Sequence, residues 1–422
     1  MGTVSSRPPE DATKTEENTF AGASVGNDQP EFSLSNAVLL AHKFTERHPL
    51  FRWRGEQNIV QEMGNRAAKH MFLVDFSDLS GESKCRIVLS VLPAHASLLV
   101  AATAASLNTY KLKSLLVSLR HPFLFPILDV EYAKHPGGLL VVQPLAPAGS
   151  LKDLLHRKAS PCAPYATKYT MRRSGGGLSR SLVRRYARHV LEALLALRAI
   201  GIVCDHVKTS NVLVDAGVAR VSDVFNSVLA IDRDPRLDDL TLPLEAVGVP
   251  IDQLLFGHFL YELALGRELQ AVAPSPADIA AMPLDVADVL RVLFAKPTSS
   301  AQPSTTLDTL RTMPLFATSG PANDDLVLPA LETHLDASMK SLVRVSMAAK
   351  EARRKANIEL FVTKEAARAA AAAATDAAEG KPLPRPTNPR QLHRAKSLAA
   401  TDKPMRRAAY RKQHSSATVV GA

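Results

Sequence analysis

The densest run of reactive side chains in this 422-residue chain is Cys204-Asp205-His206-Val207-Lys208-Thr209-Ser210-Asn211, with Asp223 following after a short interval. A carboxylate, an imidazole, an ammonium and an amide stand close together there. His206 is able to accept a proton. Asn211 and Asp223 suit either a ligand or the plainer task of tying down their loops by hydrogen bonds to the backbone. Two other motifs carry modification chemistry. Met1-Gly2-Thr3-Val4-Ser5-Ser6 fits the pattern for myristoylation of Gly2, although one acyl chain binds membrane only marginally. Arg394-Ala395-Lys396-Ser397 places basic residues ahead of Ser397 as a basophilic kinase requires, and a phosphate there suits an arginine-lined pocket. Cys85, Cys162 and Cys204 lie far apart without C-x-x-C spacing, which argues against a disulfide framework or a zinc site and fits a reducing compartment.

The elements that must position these residues are legible as a change of pattern. Apolar runs at Met71–Val74, Ile87–Leu92 and Leu139–Val142 predict strands. Leu112, Leu115, Leu116 and Leu119 recur at helical spacing before a His121-Pro122 turn. A short amphipathic segment at Leu151, Leu154 and Leu155 precedes a loop rich in proline and glycine. A strong helix follows over 182–200, and another over 251–265 is apolar almost all round, hence buried. Strands first and helices afterwards predict an α+β chain with a small β-rich lobe on a larger helical one. The organisation read from composition is a polar, disordered stretch over 1–35 and a globular region over 36–320, its lobes at about 58–145 and 146–320. An Ala-, Leu- and charge-rich extension over 321–378 reads as one or two long surface helices, and a basic disordered tail covers 379–422.

The formal charge of +10 belongs almost wholly to that tail: ten Lys or Arg from Lys381 onward stand against Asp402 alone. Such a tail suits an acidic membrane surface, an acidic protein or nucleic acid, all weakened by salt. Tyr410 is its sole aromatic and offers little stacking, so nucleic acid ranks last. The most apolar stretch, 87–107, is broken by Pro93 and His95 and falls short of the roughly 20 clean apolar residues of a membrane span. With no secretory signal visible, the expected location is cytoplasmic or peripheral at membranes.

The segment 201–214 resembles the catalytic loop of protein kinases, H-R-D-x-K-x-x-N and a short strand, with Ser222-Asp223-Val224-Phe225 in the place of D-F-G. Leu119-Arg120-His121-Pro122 resembles the turn after the kinase αC helix. Asp252 opens a D-x-x-x-x-G-x-x-L-Y-E-L pattern, and 310–316 resembles the closing L-x-x-M/H-P-x-F. A narrower resemblance is to the PX-domain-containing kinase-like and slowpoke-channel-binding protein family. His121–Leu124, Gly149–Leu155, Tyr186–Leu194, Ser210–Leu213, Asp223–Ser227, Phe256–Leu263, Met313–Phe316 and Arg394–Ser397 carry it. The resemblance implies a two-lobed protein-kinase-like fold, mostly without catalysis, with roles in membrane-protein trafficking, channel binding and actin contact. The stretch ahead of the kinase-like region is shorter than a PX domain, so no such module is expected.

Against the kinase template the chain departs at the glycine-rich loop, the β3 lysine, the αC glutamate and the catalytic aspartate, and keeps three other positions. Of the glycine-rich loop only Gly64 is kept, Arg66 and Lys69 standing for the other glycines. Ser90 takes the place of the β3 lysine and Leu112 that of the αC glutamate. Cys204, Asp205 and His206 align with H-R-D, so the catalytic aspartate is replaced by His206. Lys208, Asn211 and Asp223 match the loop lysine and the two magnesium ligands. Lys69 stands where with-no-lysine kinases place a phosphate-gripping lysine. The cofactor implied is ATP with magnesium, at Gly64, Lys69, Lys208, Asn211 and Asp223. The expectation is a catalytically impaired pseudokinase acting as a signalling or trafficking scaffold for proteins: membrane proteins, a 14-3-3 protein at Ser397, or actin. The alternatives are a weak, unorthodox ATP-dependent Ser/Thr kinase, and binding of acidic membrane or nucleic acid through the tail.

Overall fold

The structure, a computed structural model, describes residues 33–52, 59–60, 69–77, 84–94, 109–135, 137–157, 168–169, 176–296, 307–317 and 335–378. Gly2, Gly64, Arg66, Ser397 and the tail lie outside the described residues. So do residues 1–32; Ser33 caps a helix rather than ending a polar stretch, its side chain accepting from the Asn36 amide at 3.2 Å.

That helix, α1 (Leu34–Arg47), lays Ala37, Leu40, Ala41 and Phe44 on one face of a sheet. The sheet is antiparallel: β1 (Phe51–Arg52), β2 (Ile59–Val60), β3 (His70–Ser77), β4 (Lys84–Pro93), β5 (Asp129–Ala133) and β6 (Gly138–Pro144), in the order β1-β3-β4-β6-β5, with β2 also on β3. The small lobe therefore includes α1, well before the strand signals near residue 58. Strand alternation sends Ile87, Leu89 and Val91 toward α1. It sends Val88, Ser90 and Leu92 to the other face, where α2 (Thr109–Ser118) buries Leu112, Leu115 and Leu116.

The larger lobe holds α3 (Leu151–Leu155), α4 (Arg180–Ala199), the hairpin β7 (Val212–Asp215) and β8 (Val218–Val221), α5 (Val224–Val228), α6 (Pro235–Glu245) and α7 (Ile251–Leu265). Next come α8 (Pro276–Ala280), α9 (Leu284–Leu293), α10 (Leu307–Leu310) and α11 (Ala337–Ala378). Buried α7 is apolar almost all round, as its sequence predicted. Gly257 within it lets Phe294 approach: a Cβ there would stand 2.7 Å from the ring. Ser150 and Asp153 form a capping box on α3.

The chain divides inside α11 into two compact units, 1–356 and 357–422. The first half of α11 is part of the lobe rather than a surface appendage, with Leu342, Val343 and Ser346 buried. The described part of the second unit is the rest of that helix, on which Leu360 and Val362 are exposed.

Candidate functional site

The catalytic-loop segment runs from the end of α4 into β7. A turn at Thr209–Asn211 is fixed by the Asn211 amide donating to Lys208 O at 2.8 Å, and Thr209 Oγ1 donates to Glu262 of α7 at 2.6 Å. Asn211 spends its side-chain amide on His206 O at 2.9 Å. Asp223 lies in the left-handed region at φ 59, immediately before α5, a conformation that costs an L-residue about 1–2 kcal/mol.

Across the cleft, Lys69 at the start of β3 reaches Asp223 with Nζ 2.9 Å from Oδ2, each side chain only 1% exposed, and Nζ sits 4.9 Å from the ring centroid of Phe225. Met71 pairs with Ser90 in the ladder, so alternation puts Lys69, Met71 and Ser90 on one side of the sheet. Ser90 is fully buried and its hydroxyl has no hydrogen-bond partner among the described residues. Leu112 is buried beside Leu115 and Leu116, so the cleft's own lysine is matched by an aspartate of the larger lobe and not by a glutamate on α2. Lys208 is half-buried, within electrostatic reach of Glu262 and Glu268.

Magnesium-ATP, which the kinase fold implies, needs open carboxylate and amide oxygens for the metal and a cationic grip on the phosphates. Here Asp223 is dry and turned to Lys69 and Ser90 brings no charge; Asn211 spends only its amide nitrogen on the backbone, so it is the Lys69–Asp223 pair that stands against the group. The residues in this arrangement do not fit that group. Among the described residues, no cluster of three or more His, Cys, Asp or Glu could hold a metal, and no helix is long and apolar enough to cross a membrane.

His206 and Asp205 are also taken up internally. His206 Nε2 lies 3.2 Å from Ile231 O, a carbonyl that only accepts, so this nitrogen carries the proton. Burial pushes the imidazole pKa down to about 4 despite Asp205 Oδ1 at 3.6 Å, and it is neutral at pH 7. Asp205 accepts from Ser227 Oγ at 2.8 Å and pairs with Lys350 Nζ of α11 at 2.5 Å. Burial would raise its pKa, but Lys350 together with His206 and Arg233 holds it at about 2. Buried Cys204 is pushed up to about 11, by burial and then by Asp205, which makes it inert.

Lys350 is the residue that sequence reasoning missed. It also donates to Val203 O at 3.3 Å, while Ser346 Oγ donates to Val228 O and Met347 Sδ accepts from the Val203 amide at 3.5 Å. Arg353 donates to Ala230 O at 3.1 Å, and Arg354 to Glu245 at 2.7 Å. Helical spacing was the available signal: Leu342, Val343, Ser346, Met347, Lys350, Arg353 and Arg354 form one stripe, but half of it is polar, so apolar periodicity does not mark it. In protein kinases the loop after D-F-G is ordered when an arginine receives a phosphorylated residue. Here the arginine position of H-R-D holds Asp205, and a lysine answers it: the charges are reversed.

With the lobes, the hairpin, the D-F-G-like turn and the αC-like helix all in place, the fold is that of a protein kinase. No protein-family model matches the chain. The slowpoke-binding protein of Drosophila melanogaster is 33% identical over 220 residues, 51% of this chain and 41% of that protein. A Dictyostelium discoideum protein named as a probable inactive serine/threonine-protein kinase, slob2, is 30% identical over 242 residues, 57% of this chain and 40% of its own. The mouse PX domain-containing protein kinase-like protein is 28% identical over 258 residues, 61% and 42%. The chain is a homologue of these kinase-like proteins. It spans about two fifths of the length of each. Among solved structures, Rad53 in complex with AMP-PNP is 12% identical with a TM-score of 0.43, over 61% of this chain and 65% of that one.

Proposed function

We propose that this homologue of inactive kinases is a pseudokinase whose cleft is held shut by its own side chains, and that it works as a scaffold by binding a protein. The observation that carries this reading is the Lys69–Asp223 pair: the cation that would grip phosphate and the carboxylate that would hold magnesium neutralise each other in a dry cleft. His206, neutral and bonded to Ile231 O, is not a carboxylate base. The names of the relatives agree with it, one being called slowpoke-binding and another inactive. A protein partner for this chain follows by analogy with the first.

The test is thermal denaturation of the full chain with millimolar ATP, with and without magnesium. A ligand at a hundred times its dissociation constant adds about 2.7 kcal/mol of stability. The expected result is an unchanged melting temperature under both conditions. A magnesium-dependent rise would overturn the closed cleft and favour the reading as an unorthodox kinase.

A further inference from the structure

The outer side of α2 carries a groove that nothing in the cleft uses. It has a volume of about 450 Å³ between the helix and the start of β5, with Tyr110, Lys113, Ser114 and Val117 along the helix and Arg120 and Leu128 at its end. The four helical residues follow i, i+3, i+4, i+7 spacing, one continuous face. The opposite face holds Leu112, Leu115 and Leu116 in the core. Tyr110 is 76% exposed and Leu128 50%, so two large side chains flank the groove on open surface.

Charge decides what could lie there. Helix α2 contains no acidic residue and two lysines; Lys113 lines the groove, while Lys111 lies outside it within electrostatic reach of Asp336. Asp129 is the one acid among the residues that line the groove, and it already pairs with Lys113 at 2.6 Å. Arg120 is exposed, and its guanidinium has neither an ion-pair nor a hydrogen-bond partner among the described residues. Eight helical steps from Tyr110 to Ser118 span about 12 Å, the length of three or four extended residues at about 3.3 Å each.

We infer that this groove docks a short acidic segment of a partner protein, with an apolar side chain lying on Val117 and Leu128 between a carboxylate on Arg120 and another on Lys113. Arg120 presents a planar fork suited to bidentate carboxylate recognition. The second carboxylate competes with Asp129 for Lys113. The inference rests on the scaffold reading and names one surface for it.

The full chain is titrated into a fluorescein-labelled Asp-Glu-Phe-Glu-Asp peptide and, separately, into Lys-Arg-Phe-Lys-Arg, following anisotropy at low and physiological salt. The expected result is binding of the acidic peptide alone, weakened by salt. Arg120→Glu lowers the affinity at least about tenfold, the loss of one charge-assisted contact. Ser114→Trp, which fills the groove with an aryl group, abolishes binding. Both changes lie outside the core, and their melting temperatures report that the fold is kept. Equal binding by wild type and both variants overturns the assignment, as does a preference for the basic peptide or no binding of either. Capture by phosphatidylserine vesicles that Arg120→Glu removes, with no peptide binding, overturns it in favour of a membrane surface. Failure here leaves the closed cleft standing, because the ATP melt reads Lys69 and Asp223 while this titration reads α2.

Discussion

Two lysine–aspartate pairs, one buried and one partly exposed, brace the catalytic-loop region from different sides. Lys69–Asp223 joins the lobes across the front of the cleft, both side chains 1% exposed, beneath the ring of Phe225. Lys350–Asp205 joins the loop to α11, at 13% and 8% exposure, inside a network with Ser227, Val203 O, Arg233 and His206. In an active kinase the first place belongs to a nucleotide and its metal, and the second to a phosphorylated residue. In this chain both ligands are replaced by a lysine of the protein itself.

The sharpest way to break the comparison is to remove one member of the front pair. Lys69→Met leaves Asp223 charged and dry, and should cost about 3–5 kcal/mol. The double variant Lys69→Met with Asp223→Leu should recover most of that loss, since neither charge remains to be solvated. Chemical denaturation of the three proteins checks it. If the single variant is as stable as the double, the pair is not a lock.

Removing the rear lysine should matter less, because Asp205 keeps the Ser227 hydroxyl as a donor and the nearby charge of Arg233. Lys350→Ala is expected to cost about 2–3 kcal/mol and to speed proteolysis within 224–249. The exchange of Asp205→Lys with Lys350→Asp should restore part of the protection; an exchange no better than Lys350→Ala would make α11 a passive cover.

A smaller effect should appear with pH. The imidazole of His206 titrates at about 4 folded and about 6.5 unfolded. The unfolded chain binds the extra proton between those values, so this stability is complete above pH 6.5 and is lost as pH falls through the window. At pH 5 the loss is on the order of 2 kcal/mol. Buried His189 and partly buried His258, also lowered to about 4, act in the same direction. The readout is therefore the difference in pH dependence between wild type and His206→Gln, the variant showing the shallower decline. Smallest of all, Ser90→Ala removes a buried hydroxyl without a partner and should be neutral or stabilising by up to about 1 kcal/mol.

The legible parts of the fold were those with local causes. The runs 87–92 and 139–142 became β4 and β6 because a β-branched, apolar run suits a strand buried on both faces. The leucines at 112, 115, 116 and 119 gave α2 by their spacing. Helix α1 was present in the sequence as well, with Ser33 as cap and Ala37, Leu40, Ala41 and Phe44 at helical intervals, but the polar stretch before it masked the boundary. The site divides in the same way. Ser90 and Leu112 could be placed from their strand and helix. The destination of Lys69 is a contact between lobes, and the hold of Lys350 on Asp205 joins residues far apart in sequence. No local period or cap reports such a pairing, and only the folded geometry brings the groups within reach.

The presence of Leu112 where kinases keep a glutamate has a consequence for communication through the domain. An ion pair between that helix and the cleft is directional, and its making or breaking gives the helix two distinct positions. Apolar contact with Leu115 and Leu116 has no such preference and does not depend on what occupies the cleft. Helix α2 carries no acidic residue, so it forms no ion pair with Lys69 through which occupancy of the cleft could move it. A segment docked on its outer face, as proposed above, would meet a surface lined by neither Lys69 nor Asp223.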